Sequence, residues 1–264
     1  MKGKLQKLAT QLQGELYDDT TIRTLYATDA SAYREMPLAV AIPKTKDDIQ
    51  TLIQFAKENK TNLIPRTAGT SLAGQVVGNG IIVDVSKHFT KIIELNEEAS
   101  WVRVQPGVIR DELNLFLHPY GLYFGPETST ANRAMMGGMV GNNSCGSNSV
   151  IYRSTREHLM EVTAFLSDGT EVVFKALSLD DFHAKCELTT LEGTIYKSMR
   201  SMLSNYDNQV EIKKEFPKKS VERRNTGYAI DVKWLLMRLR SLIISKCRLL
   251  VSILWEMPVP ILSR

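Results

Sequence analysis

The sequence predicts an α+β fold. Strand-like apolar runs alternate with helical patterns early, a hairpin signal comes late, and of two Gly-rich segments between elements the second suits a ligand better than a solvent loop. At 264 residues the chain has room for about two domains of ~100–200 residues each, and 43% hydrophobic residues is ordinary for a globular protein.

Leu5, Leu8, Ala9 and Leu12 recur at helical spacing, and Gly14 ends that helix. Leu38–Ile42 reads as a strand closed by Pro43. Thr45 then opens a helix with Asp48 three residues on, a variant of the capping box, and Ile49, Leu52, Ile53 and Ala56 form its apolar face. Asn62–Ile64, Ile81–Val85 and Lys91–Leu95 read as strands. Val102 and Val104 alternate with Trp101, Arg103 and Gln105, the pattern of a half-buried strand. Leu113, Phe116 and Leu117 mark an apolar helix face ending before Pro119. Glu161–Leu166 and Glu171–Phe174 flank Ser167-Asp168-Gly169-Thr170, a hairpin signal. Polar sequence of mixed charge follows to about Tyr228.

Charge excludes one class of partner. The six basic residues and one acidic residue of 232–264 account for more than the whole net charge of +4. The body is near neutral and gives no footprint for nucleic acid. Cys145, Cys186 and Cys247 form no CxxC, so local ligands for zinc or an iron–sulfur cluster are lacking, and no metal site is expected. Three scattered thiols and no secretory signal predict a cytoplasmic protein. No run of ~18 apolar residues predicts a membrane span.

Two segments carry the chemistry. The first is Pro65-Arg66-Thr67-Ala68-Gly69-Thr70-Ser71-Leu72-Ala73-Gly74-Gln75, directly after a strand. Glycines permit positive φ and close backbone approach, and successive N–H groups form an anion-binding nest. Thr67, Thr70 and Ser71 add hydroxyls and Arg66 a cation. Taken alone, a surface turn explains the segment about as well. A Walker-type nucleotide hydrolase is disfavoured, because Gln75-Val76 stands where Lys-Ser/Thr is required. The second is Phe124-Gly125-Pro126-Glu127-Thr128-Ser129-Thr130, continuing to Gly137-Gly138-Met139-Val140-Gly141-Asn142-Asn143-Ser144-Cys145-Gly146. So many glycines with so little charge suit backbone packed on a ligand or on other backbone. Met135, Met136 and Met139 read as core. His88, His118, His158 and His183 show no metal-ligand spacing and read as structural or solvated.

These runs, with Asp168-Gly169-Thr170, resemble the FAD-linked oxidases and dehydrogenases that share the FAD-binding domain of vanillyl-alcohol oxidase and p-cresol methylhydroxylase. Within them the sequence is most similar to the D-lactate dehydrogenase and glycolate oxidase FAD-subunit group, over roughly residues 15–231. The resemblance implies a helical lead-in (1–35) and a two-subdomain FAD-binding domain (36–231, divided at about 90). It implies diphosphate contacts from Pro65, Arg66, Thr67, Ala68, Gly69, Thr70, Ser71, Leu72, Gly74 and Gln75. On the flavin and ribityl side it implies Pro126, Glu127, Thr128, Ser129, Gly137, Gly138, Gly141, Asn142, Asn143, Ser144 and Gly146. Thr70 stands where some members tether FAD through His, so FAD is expected to be non-covalent.

The family's activity is oxidation of a D-2-hydroxy acid, such as D-lactate or glycolate, by hydride transfer to flavin. A quinone, cytochrome or iron–sulfur acceptor follows. Its substrate-binding cap and catalytic residues lie beyond the segment that resembles it, so a module without turnover is the competing reading. After Asp231 the resemblance stops. Residues 232–264 read either as a basic amphipathic helix making peripheral contact with the inner face of a membrane or as a frameshifted tail that fits no surface of the domain. The frameshifted tail is the preferred reading.

Overall fold

The computed structural model describes residues 1–218, 220, 221, 230 and 253–263. Two sheets organise it. In the first, β1 (Glu15–Tyr17), β2 (Ala39–Ile42), β4 (Ile81–Asp84) and β3 (Leu63–Arg66) lie side by side in that order. β4 runs parallel to both β2 and β3, and β1 is antiparallel to β2. β4 is buried at every position, as expected of a strand covered on both faces.

The crossover between β2 and β3 is α3 (Lys46–Asn59). Its start is the anticipated capping box: Thr45 Oγ1 accepts from Asp48 N, and the Asp48 carboxylate accepts from Thr45 N. Asp48 also accepts from Gln13 N, Gly14 N and Lys44 N, so one buried carboxylate ties α1 (Lys2–Ala9) and its following turn to α3. Ile49, Leu52, Ile53 and Ala56 are buried against the sheet with Leu5 and Leu8. The 1–35 segment therefore belongs to this layer, and its strand β1 was not anticipated. Within it lies the short helix α2 (Thr20–Leu25), capped by Asp19.

The second sheet is antiparallel throughout, in the order β5 (Ile92–Asn96), β6 (Trp101–Val104), β10 (Ile253–Pro260), β8 (Glu161–Phe165) and β9 (Glu171–Lys175). The hairpin turns at Gly169, whose φ is +90°. Leu113 and Leu117 of α4 (Arg110–Leu117) are buried, whereas Phe116 is exposed and packs at 5.9 Å on Tyr120. The helix face is therefore narrower than its apolar residues suggested. Phe165 reaches the core of the first sheet, and Lys46 pairs with Glu171 across the two layers. α6 (Ser149–Tyr152) precedes β8, and α7 (Leu179–Glu187), α8 (Leu191–Ser204) and α9 (Tyr206–Glu215) follow β9. A third core joins Phe182, Cys186, Tyr196 and Met199 of α7 and α8 to Val172 and Phe174 of β9.

For residues 253–263, β10 overturns the expectation that the tail fits no surface. It is the central strand: Met257 and Val259 are fully buried and pair with Val104 and Val102 of β6. Its two prolines are tolerated for a geometric reason. N–H and C=O of one strand residue face the same neighbour and alternate along the strand. Pro258 O accepts from Met160 N at 3.1 Å, so Pro258 and Pro260 both face the β8 side, past the last paired residue of β8. Met257 and Val259 keep their N–H groups for β6. Beyond β10, β11 (Leu262–Ser263) pairs with β7 (Leu122–Tyr123). The apolar positions 235–250 and Cys247 lie outside the described residues. Among the described residues no helix is long and apolar enough to cross a membrane.

Candidate functional site

β3 delivers the first Gly-rich segment at its carboxyl end, the edge where parallel sheets place ligands. Gly69 and Gly74 both sit at φ +66°. A Cβ on Gly69 would stand 2.6 Å from Arg66 Nη2, and one on Gly74 2.7 Å from the Tyr33 ring. Both positions therefore favour glycine for φ, and Gly69 also for space, because hydrogen bonding to Thr28 O holds the Arg66 guanidinium in place. Ser71 Oγ donates to Gln75 Oε1 at 2.8 Å and accepts from Ala73 N, which closes the loop on itself. Ala30 N donates to Gly69 O, so the chain before β2 forms an outer wall.

Arg66 lines the cleft and is also held by backbone on the outer wall. Its Nη1 donates to Thr28 O at 2.8 Å and Tyr26 O at 3.4 Å, and its guanidinium lies 5.0 Å over the Tyr26 ring. Tyr26 in turn donates to Asp84 Oδ2 at 2.6 Å. Burial first, then that carboxylate, pushes the Tyr26 hydroxyl well above its ordinary pKa, so it stays a donor. Arg66 braces the loop from beneath.

The second segment forms the opposite wall through α5 (Met136–Asn142). A Cβ on Gly138 would meet Thr67 Oγ1 at 2.7 Å and one on Gly137 would meet Pro106 at 2.5 Å, so Gly138 lets α5 press against the first loop and Gly137 lets it press against the turn after β6. Nothing lies within 4 Å of a Cβ on Gly141, whose open face borders the space between. Asn143, at φ +51°, ends the helix and accepts from Arg156 N at 3.0 Å. Thr155 donates twice to Ser144 O, through N and Oγ1.

The two walls enclose a cleft of about 950 Å³. That is near the upper end of the ~300–1,000 Å³ usual for ligand and cofactor sites. Residues 65–73 and Gln75 line it, as do Thr128, Ser129, Gly137, Gly138, Gly141, Asn142 and Ser144. Gly74, Pro126, Glu127, Asn143 and Gly146 do not. The sequence reading missed Thr28, Asp29 and Ala30 of the outer wall, Pro106, Arg133 and the apolar Val85. A small polar run such as Asp29-Ala30-Ser31 carries no signal of its own. No histidine lines the cleft among the described residues, and Thr70 does. His158 is buried under Phe124 in an edge-on ring contact, with Nε2 2.8 Å from Tyr152 O, and burial lowers its pKa. No acid, His or Cys cluster among the described residues could hold a metal.

Glu127 shapes the site from behind. Its Oε1 accepts from Ser147 Oγ at 2.9 Å and Asn148 N at 3.2 Å, and a Cβ on Gly146 would touch it. Arg110 and Asn114 hold the carbonyls of Phe124 and Pro126 on the other side. Replacing Glu127 with Ala is expected to cost about 1 kcal/mol in denaturant unfolding. Glu127→Gln keeps the single accepting oxygen and should lie within a few tenths of the parent. Equal losses in both variants would mean that charge, not the shared acceptor, holds the loop.

The cleft suits a dinucleotide carrying a flat ring. Glycine backbone and the hydroxyls of Thr67, Thr70, Ser129 and Thr130 offer donors, while Val85, Ala134, Met139 and Val140 offer an apolar side. Asp29 Oδ2, in the outer wall, is a buried oxygen without a partner. The α+β fold, with its glycine-walled cleft between the loop after β3 and α5, is that of a nucleotide-cofactor-binding domain. Residues 37–175 match the FAD binding domain family, and the chain belongs to it. FAD is its cofactor.

D-2-hydroxyglutarate dehydrogenase of Pseudomonas putida is 37% identical over 82% of the chain, and glycolate oxidase subunit GlcD of Bacillus subtilis 32% over 69%. D-lactate dehydrogenase [cytochrome] of Kluyveromyces lactis is 31% identical over 58%. The chain spans 21%, 40% and 27% of these relatives' lengths. Physcomitrella patens BBE-like 1 (TM-score 0.62, 15% identity) covers 98% of the chain with 44% of its own. Alkyldihydroxyacetonephosphate synthase (TM-score 0.63, 13% identity) covers all of it with 40% of its own. Both share the fold.

Proposed function

We propose that the chain is the FAD-binding portion of a dehydrogenase that oxidises a D-2-hydroxy acid, with D-2-hydroxyglutarate ahead of D-lactate and glycolate. The observation that carries this is the pair of glycine-built walls facing one cleft, in a chain whose relatives include D-2-hydroxyglutarate dehydrogenases at 36–38% identity. In this reading residues 65–75 hold the diphosphate with backbone N–H groups and the hydroxyls of Thr67, Thr70 and Ser71. Gly137, Gly138 and Gly141 let the backbone of α5 approach the flavin side, where Asn142 and Ser144 add polar contacts. Glu127, Asn143 and Gly146 set that wall without touching the ligand. FAD, when bound, supplies the hydride acceptor.

Among the described residues the cleft's charged side chains are Asp29, Arg66 and Arg133; the one that can accept a proton, Asp29, sits in the outer wall next to Ala30, which bonds the diphosphate loop at Gly69. We assign proton removal, the substrate pocket and the electron acceptor (quinone, cytochrome or iron–sulfur) to sequence beyond this part. The second reading, a module that binds FAD without turnover, draws on the same observation and on the small share of the relatives covered.

Two measurements test these readings. Acid precipitation of the FAD-loaded chain should leave a colourless pellet and a yellow supernatant; a yellow pellet would contradict non-covalent binding. Anaerobic addition of D-2-hydroxyglutarate should bleach the bound flavin if the chain turns over. A yellow, unbleached protein shows FAD binding without turnover by this portion alone, and a chain that takes up no flavin defeats both.

A further inference from the structure

We infer that Arg133 supplies the side-chain positive charge for the diphosphate of the bound dinucleotide, the task that the sequence assigns to Arg66. The inference rests on the FAD reading above. A diphosphate in a half-enclosed cleft gains from charge-assisted hydrogen bonds as well as from neutral donors, and a guanidinium fork matches paired phosphate oxygens. Among the described residues lining the cleft, the cationic side chains are Arg66 and Arg133.

Arg66 is committed elsewhere. Nη1 is bonded to Thr28 O and Tyr26 O, one face covers the Tyr26 ring, and the Nη2 edge packs beneath Gly69. Turning it into the cleft would release the outer wall.

Arg133 has the opposite character. Its backbone is fixed: Arg133 N donates to Thr130 O at 2.9 Å, Ala134 N to the same oxygen at 2.7 Å, and Arg110 N to Ala134 O at 2.9 Å. Its side chain is exposed, and Nη1 donates only to the neighbouring Asn132 Oδ1 at 3.3 Å, a long bond that water or a ligand can exchange. No described carboxylate pairs with it. The turn that anchors it also brings the hydroxyls of Thr128, Ser129 and Thr130 to the cleft, opposite the loop that Gly138 contacts at Thr67. An unpaired guanidinium on a fixed backbone, beside the Ser129 hydroxyl and the mutually bonded hydroxyls of Thr128 and Thr130, can close on an anion.

Titrating the full chain and its Arg133→Gln and Arg133→Lys variants with FAD, ADP and riboflavin, at low and high salt, tests this. Gln should weaken FAD and ADP by about tenfold or more and flatten the salt dependence of both, with riboflavin, which has no phosphate, unchanged. Lys should recover part of the loss. FAD affinity within about twofold of the parent, or equal weakening of FAD and riboflavin, would overturn the assignment. A parent chain that binds no FAD would remove the underlying reading and the inference together. A parent that binds while Gln changes nothing would remove the inference alone.

Discussion

Gly69→Val should lower FAD affinity by at least about tenfold, or ~1.4 kcal/mol, in a chain that still folds. Gly69 sits at φ +66°, where a β-branched residue stores strain of roughly 1–3 kcal/mol. The added Cβ would also stand 2.6 Å from Arg66 Nη2, and the guanidinium could yield only by leaving Thr28 O, which braces the outer wall. Strain and clash therefore both act on the loop that faces the cleft. Gly121→Ala is the matched control. Gly121 has φ +67°, with nothing within 4 Å of its Cβ position, and it is not part of the cleft. It should lose stability without losing FAD. Flavin-fluorescence titration, with circular dichroism to confirm folding, reads both. Unchanged affinity in folded Gly69→Val would return the loop to a surface turn.

Deleting residues 253–264 should abolish cooperative unfolding of the second sheet. β6 and β8 share no ladder; each pairs with β10, and the Arg103–Glu161 ion pair at 3.0 Å reaches from one to the other across it. The deletion removes the buried side chains of Met257, Val259 and Ile261. At about 1.5–3 kcal/mol each, that is on the order of 5 kcal/mol or more, comparable with the whole stability of a domain at ~5–15 kcal/mol. It also bares the ladder edges of both neighbours, which invites aggregation. The frameshifted-tail reading expects the reverse, a more soluble protein after removal of everything past Asp231. Urea unfolding of the parent, the deletion and Val259→Asp decides. A deletion that unfolds with the parent's midpoint and slope would remove β10 from the account.

What was legible follows from where the physics is local. Thr45 and Asp48 announce a helix start by themselves, and Val102 and Val104 announce their strand by alternation. The Gly69 loop was readable because positive φ and close approach leave a glycine signature. β10 was hidden because Pro258 and Pro260 demote any strand reading, and only the third dimension shows that both face past the end of β8. β1 is three residues long, too short for a period. In α7 the buried residues do recur at helical spacing, Phe182 with Cys186, but the polar residues between them mask the pattern.

The site divides in the same way. Glycine and asparagine packed on other backbone look, in sequence, like glycine and asparagine packed on a ligand. Gly146 against Glu127 and Asn143 beneath Arg156 N could not be told from Gly141, which faces the cleft. Arg66 was read as a phosphate cation because a guanidinium's partners, here two distant carbonyls, leave no mark in the sequence.

The most direct test of the central claim is a titration of the purified full chain with FAD, followed by its absorbance spectrum after gel filtration. The cleft account predicts a yellow protein that retains FAD, prefers it to FMN because the loop at 65–75 holds a diphosphate, and surrenders it to acid. A folded chain that elutes colourless, or that retains FMN as well as FAD, would contradict it.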